Sequence, residues 1–488
     1  MDTPSSGKGS NFTFMAKQSY VSFLPDPGEV RTCDAQGTFP PPANIFLAPD
    51  MTRGMPQLKA LHGVTNYAPI GSIAQSCPLD VRRRLKELAL PYAYLHDDPY
   101  GSPGRNIIDV SRIFPLFHAD ENDPRNYLFT ESDDYLRPLI EDGVKVIYRL
   151  GESIECGTHY RTSPPKDAAK WVRICLNIVR HYTQGWANGF QWPILDWAVC
   201  EEPNNPNLWH GEFAEYLQLY KTLSLEFRRA FPCFRIGGPS TTTLGCQYLE
   251  RFLAFVQAEN LPLDFVNYTA YYLTPAEFLQ ESVRRRQLVD SYGFADIPLW
   301  ATEWHCSPFW HDFQDPVAYG RERARFGGTE GAAFAATILC GLQDAPVDRA
   351  CFYSACLGGG YGLFDLEHRP TPAFYVFEKF AHLYCFCKRR IALEIRNASA
   401  NTQALLCEDE DGGLELLCGT FNRVAGTVSI AIPDGYVVKE IQVLDDMCTP
   451  RFAAMEPERV TIQEATLTLA KYACASVFSI LFCPCPHR

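Results

Sequence analysis

Two short stretches of the chain carry acidic side chains in a setting suited to acid–base and nucleophilic chemistry. The first, Trp197-Ala-Val-Cys-Glu201-Glu202-Pro203, closes a run of β-forming residues on adjacent glutamates. The second, Trp300-Ala-Thr302-Glu303-Trp304, places a single glutamate in a similar setting. Two carboxyl groups flanking one bond can divide the work, one protonating a leaving oxygen and the other attacking as nucleophile. That division is what hydrolysis of a glycosidic bond requires. Carboxyl groups about 5 Å apart imply retention through a covalent intermediate, and a wider gap implies inversion. The acid of such a pair must keep its proton near neutral pH, which an apolar wall or a neighbouring carboxylate can arrange.

The elements that must position these residues follow from hydrophobic periodicity. Short β-rich runs are expected at 63–67, 92–96, 145–150, 194–200, 234–237, 264–268, 298–302 and 350–354. Between them lie stretches with helical spacing at 80–88, 133–141, 165–182, 212–230, 247–257, 275–291 and 328–342, with a last one at 373–384. Strands alternating with helices in this order predict an α/β protein built on a (β/α)8 TIM barrel. Active sites of such barrels lie at the C-terminal ends of the strands, where both acidic stretches fall. After residue 387 the pattern changes to short β-type runs at 404–407, 414–420, 427–432, 440–445, 460–462, 466–470 and 476–482, the signature of a C-terminal antiparallel β-sandwich. The expected division is an irregular arm over 1–45 that adds at most one strand to the sandwich, a barrel over 46–386 and a sandwich over 387–488.

Composition narrows the partners. The 488 residues carry 44 basic and 57 acidic side chains, a net charge of −13, so neither nucleic acid nor an anionic membrane is an expected partner. No G-x-G-x-x-G or phosphate-binding loop follows any expected strand, and no G-x-S-x-G elbow is present. The 19 cysteines include no C-x-x-C, and His305, Cys306 and His311 lack paired ligand spacing, so no metal is expected. No signal-peptide pattern and no membrane-spanning run is visible, which predicts a cytoplasmic protein with reduced, mostly buried thiols.

The segment from Trp197 through Pro203, Trp209-His-Gly211 and Gly237-Gly-Pro239 resembles glycoside hydrolase family 39, of the barrel clan whose catalytic residues sit on strands 4 and 7. His96-Asp97, Arg149-Leu-Gly-Glu152, Thr302-Glu303-Trp304 and Gly362-Leu-Phe-Asp365 extend the resemblance over most of 60–385. It implies Glu202 as general acid/base and Glu303 as nucleophile. His96, Asp97, Glu152, Glu201, Trp209, Tyr271, Trp304 and Trp310 are the expected substrate-binding residues, with the tryptophans and Tyr271 as platforms for sugar rings. Three positions depart from the family pattern: Glu201 stands for Asn, Tyr94 for Arg, and Tyr268-Thr269 for Trp-His. Tyr271 remains at the position that helps hold the nucleophile.

The resemblance implies a retaining glycosidase of the β-xylosidase type, releasing sugar from β-linked xylo-oligosaccharides or plant-derived glycosides in carbohydrate metabolism. No cofactor is expected, the partner is the oligosaccharide or glycoside itself, and a homo-oligomer is compatible with the sequence. The replaced residues leave two other readings open. One is a catalytically weak or inactive barrel that binds carbohydrate, the other a hydrolase with altered sugar specificity. An acidic sugar is disfavoured by the extra carboxyl at Glu201.

Overall fold

The computed structural model describes residues 43–485, apart from 68–78, 97–105, 156–158, 307–315, 356–361, 366, 447–450 and 473. Asp97 and Trp310 lie outside the described residues, as does His311. A long first strand, β1 (Ala43–Met55), precedes eight parallel strands that close into a barrel. These are β2 (Gly63–Thr65), β3 (Tyr92–Leu95), β4 (Lys145–Leu150), β5 (Asp196–Val199), β6 (Arg235–Thr241), β7 (Phe265–Tyr272), β8 (Leu299–Cys306) and β9 (Arg349–Tyr353). The circle is completed where Gly63, Val64 and Thr65 pair with Cys351, Phe352 and Tyr353.

The barrel interior is filled by Tyr92 and Tyr94 of β3, Ile147 of β4, Ala198 of β5, Phe265 of β7, Trp300 of β8 and Cys351 of β9. Outward-facing side chains of the same strands pack on the surrounding helices, because successive residues of a strand point to opposite faces. The helices start where the sequence says they should. Thr274 accepts a hydrogen bond from the Glu277 amide while the Glu277 side chain returns to the Thr274 amide, with Pro275 in the first turn of Pro275–Ser291. Asp167 caps Ala168–Gln184, which ends on Gly185 in the left-handed conformation.

Strands β6, β7 and β8 run further than periodicity predicts, to Thr241, Tyr272 and Cys306. Thr269, Tyr271 and Glu303 therefore sit on strands, held by the ladder, and not in loops beyond them. Between β7 and β8 the register steps by one residue: Tyr268 faces Ala301 and Thr269 faces Glu303. The bulge residue Thr302 is fixed from two sides, its carbonyl accepting from Thr65 Oγ1 at 2.7 Å and its hydroxyl from Asn267 Nδ2 at 3.1 Å. Such bulges re-aim a side chain, and here the re-aimed residue is Glu303.

The remaining strands are β10 (Arg389–Arg396), β11 (Thr402–Glu408), β12 (Leu414–Thr420), β13 (Gly426–Ala431), β14 (Tyr436–Leu444), β15 (Ala453–Ala454), β16 (Val460–Gln463), β17 (Thr466–Lys471) and β18 (Ser476–Pro484). With β1 they form one ten-stranded sheet in the order β15-β14-β18-β12-β11-β10-β1-β13-β17-β16. Residues from distant strands of this sheet, among them Ile45, Leu416, Val428, Leu469 and Phe478, share one core, so the sheet folds over on itself. All pairings are antiparallel except β1 with β13.

The boundary expected at residues 45 and 46 falls inside β1, which belongs wholly to this sheet through β10 and β13. Periodicity hides β10 because four of its eight residues are charged; Arg390 among them is buried against Asp344. Among the described residues no helix is long and apolar enough to cross a membrane.

Candidate active site

The turn after β5 brings Glu201 and Glu202 into the mouth of the barrel. It needs left-handed backbone at two residues without glycine, Cys200 (φ 59°) and Glu202 (φ 39°). The turn is pinned on both sides: the Cys200 amide donates to Leu150 O at 2.9 Å and the Glu202 amide to Ser240 O at 3.0 Å. Gly151 makes the close approach possible, since a Cβ there would lie 2.9 Å from Cys200 Cα. Asn204 ties the same loop to the end of β6 through Thr242, at 2.7 and 3.1 Å.

Glu202 and Glu303 are both buried, and strand β7 serves each of them. Thr269 Oγ1 donates to Glu202 Oε1 at 2.7 Å, and Tyr271 Oη donates to Glu303 Oε2 at 2.8 Å. Asn205 Nδ2 adds a second donor to Glu202, on Oε2 at 2.8 Å. His96 Nε2 lies 3.5 Å from Glu303 Oε1. Burial, aided by the charge of Arg149, pushes the His96 imidazole well below its ordinary pKa, so it stands neutral beside the carboxylate. Burial and the Glu303 charge raise Tyr271, which keeps its proton and remains a donor.

Glu201 is 1% exposed and accepts hydrogen bonds from Tyr94 Oη on one oxygen and Ser240 Oγ on the other. Burial, followed by the adjacent Glu202 charge, pushes its carboxyl up to about 8, although the two hydroxyls and Arg149 pull the other way. Two departures from the family pattern thus contact each other: the tyrosine at the arginine position supplies the hydroxyl that holds the glutamate at the asparagine position. The third, Thr269, supplies the hydroxyl on Glu202. Arg149 is fully buried beneath them and donates to Asp109 Oδ1, His96 O and Ser153 Oγ at 2.6, 2.7 and 3.2 Å. Among the described residues, His96, Glu201 and Glu303 are the group whose potential ligand atoms all come within 4.8 Å, so this is where a cation would be held.

Other expected site residues are placed differently. Trp304 is fully buried on the outer face of β8, edge-on to Phe352 and stacked near Phe377, because it follows the inward Glu303 by one residue. It is not a sugar platform. Trp209 is also buried, its Nε1 donating to Glu212 O at 3.1 Å and its ring edge-on to Tyr216, where it supports the start of helix Phe213–Ala230. Glu152 turns toward Ser111, accepting from its amide at 2.9 Å and its hydroxyl at 2.6 Å. Burial and the nearby Asp109 push Glu152 up to about 8. Glu155 staples its own loop through the amides of Arg161 and Thr162. His305 is buried and pushed down to about 4 by that burial, its Nδ1 on Cys306 O.

Cys200 and Cys306, which flank the acidic stretches, are both buried, and burial raises both thiols, Cys200 to about 12. Sequence reasoning misses Asn205 and Ser240. Asn205 is discoverable in principle, because a polar residue three positions past Glu202 can fold back onto it within one turn.

A curated beta-xylosidase of Geobacillus stearothermophilus is 27% identical over 280 residues, covering 51% of this chain and 54% of that protein. The chain therefore spans about half the length of the curated relative it matches. Solved structures similar in fold include a glucosidase from Croceicoccus marinus, with TM-score 0.69, 18% identity and coverage of 91% of this chain and 100% of that one. A monomeric beta-xylosidase from Caulobacter crescentus CB15 has TM-score 0.61 and 17% identity, covering 90% of this chain and 99% of that one. The profile of glycosyl hydrolases family 39 matches residues 112–386, more than half of the chain, spanning β4 to β9 and with them Glu202 and Glu303. The carboxyl-lined mouth and the matched residues together make this chain a member of glycosyl hydrolases family 39.

Proposed function

We propose that the chain is a retaining glycoside hydrolase in which Glu303 attacks the anomeric carbon while Glu202 protonates the leaving oxygen. Glu202 then removes a proton from the water that releases the sugar, and no cofactor takes part. The observation that carries this reading is the use of β7. Two hydroxyls two residues apart on one strand, a spacing of about 7 Å, each hold one of the two carboxylates. That arrangement suits two carboxyl groups working on opposite sides of one linkage. β-Linked xylo-oligosaccharides or plant-derived glycosides are the substrate class, in line with the beta-xylosidase relative.

The reading as a decayed, merely carbohydrate-binding barrel has less support. The replaced residues are bonded to each other or to Glu202, so each of the three replacements has a buried hydrogen-bond partner in the mouth. The test uses aryl β-xylosides and β-glucosides with proton NMR of the first-formed anomer. The expected product is the β-anomer, with turnover falling by about three orders of magnitude or more in Glu303→Gln. An α-anomer as first product, or unchanged turnover in the variant, contradicts it.

A further inference from the structure

Two thiols meet where the last barrel helix gives way to the sheet, at the end of the barrel away from the acidic mouth. Helix Pro372–Phe386 returns from β9 toward the N-terminal end of the barrel. There Tyr384 packs against His62, the residue before β2, with ring centroids 4.8 Å apart. The chain leaves that helix at Cys387 with extended backbone, its amide still bonded to Leu383 O at 2.9 Å. It enters β10 at once: the Lys388 amide donates to Glu408 O at 2.8 Å, and Arg389 and Arg390 pair with Glu408 and Cys407. This register brings residue 387 alongside the end of β11. The thiols of Cys387 and Cys407 hydrogen-bond to each other, Cys407 donating, and neither is in a disulfide.

The two differ in the way that divides a redox pair into an attacking and a resolving thiol. Cys387 is half-buried. The Cys407 bond, with the Arg390 charge and the Arg389 amide, holds its thiol below the ordinary range although burial opposes this. Cys407 is 3% exposed, and its bond to Cys387, followed by burial, keeps it protonated. Arg390 is itself buried and fixed by Asp344, to which Nη1 donates at 2.9 Å. A fixed cation and a backbone N–H beside a partly accessible sulfur are the setting in which thiolates react. Cys340 and Cys418 nearby are buried with raised thiols and serve as packing.

We propose that Cys387 and Cys407 are a redox-active dithiol that hydrogen peroxide converts to a disulfide, joining the end of the last barrel helix to β11. The Cys387 thiolate attacks one peroxide oxygen and the O–O bond breaks. The hydroxide that leaves takes up the proton lost by the thiol, and Cys387 becomes a sulfenic acid. The Cys407 sulfur then attacks the Cys387 sulfur, the S–O bond breaks, and hydroxide departs as water with the Cys407 proton. The two thiols lose two electrons and two protons, and one peroxide becomes two waters.

The test exposes the folded, fully reduced full-length chain to hydrogen peroxide, denatures it in N-ethylmaleimide and maps the peptides by mass spectrometry without reduction. The expected product is a linked pair of peptides holding Cys387 and Cys407, lighter by two hydrogens than the separate peptides and released by dithiothreitol. Cys407→Ser is expected to lose the link and leave Cys387 as a sulfenic acid that dimedone traps. Cys387→Ser is expected to leave Cys407 unoxidised at the same dose. Wild type alone decides the point if the variants do not fold. Cys387 and Cys407 both remaining thiols while the exposed Cys233, Cys385 and Cys485 are oxidised overturns the proposal. So does a link from Cys387 to any other cysteine, Cys385 in the last turn of the helix included.

Discussion

The two ends of the barrel treat buried charge in opposite ways. At the N-terminal end Asp196, the first residue of β5, meets Arg235 Nε and Arg349 Nη1, the latter at 2.6 Å. The Arg349 guanidinium lies over the rings of Trp300 and Tyr92, and Trp300 stacks on Phe265. One anion is shared by two cations and capped by aromatic rings. At the C-terminal end the same strand leads into Glu201 and Glu202, opposite Glu303, and the fully buried Arg149 is engaged by Asp109. Five residues of one chain separate a carboxylate shared by two arginines from two adjacent glutamates held by hydroxyl and amide donors. The lower end is organised for stability and the upper end gathers buried acids in one mouth.

The contrast is sharpened most by replacing Glu201. A carboxyl whose folded pKa, about 8, exceeds its ordinary 4.5 keeps its proton in the folded state while the unfolded chain has lost it. Wild type therefore loses stability as pH rises through that window, by about 1.4 kcal/mol per pH unit at most. Glu201→Gln has no such group, so its stability advantage over wild type should be absent below the window, grow through it and level off above. Chemical denaturation across pH reads this directly. The groups facing Glu201 that set the window are Glu202, Arg149, Tyr94 and Ser240. A flat difference between the two proteins contradicts a Glu201 carboxyl that keeps its proton in the folded state.

At the lower end, Asp196→Ala should cost about 3 kcal/mol in denaturant unfolding, since it strands two guanidinium groups that are only partly exposed. The variant that folds should keep wild-type kcat. A fall in kcat without loss of stability breaks the division between the two ends. A smaller effect is expected from Thr269→Val, which removes one hydroxyl from Glu202: about ten- to thirtyfold in kcat/KM, with the pH profile displaced because that acid changes its surroundings. Thiol reagents are expected to leave turnover unchanged under folded conditions as far as Cys200 and Cys306 are concerned, as both are buried and protonated. Peptide mass spectrometry showing either one modified, with activity lost, contradicts this.

Much of the barrel is legible because alternation and helical spacing repeat eight times, and the acidic stretches stand at strand ends where the fold puts chemistry. What is not legible is direction and distance. Trp304 looks like a platform in the sequence, but one residue after an inward Glu303 it must point outward. Tyr94 and Glu201 stand out singly as unusual; their meeting depends on a barrel layer built from alternate strands, β3 and β5, with β4 between. Reading replacements in alternate strands together would have found the pair. β1 escapes because its partners, β10 and β13, come more than 330 residues later, and no local pattern encodes such a pairing.

The central claim is that Glu303 forms the covalent bond to sugar. Incubation with an aryl 2-deoxy-2-fluoro-β-glycoside, which slows release of the glycosyl group, followed by peptide mass spectrometry, tests it most directly. The label is expected on Glu303, with Glu201 and Glu202 unmodified. A label on another residue, or none while the parent glycoside is hydrolysed, contradicts the account.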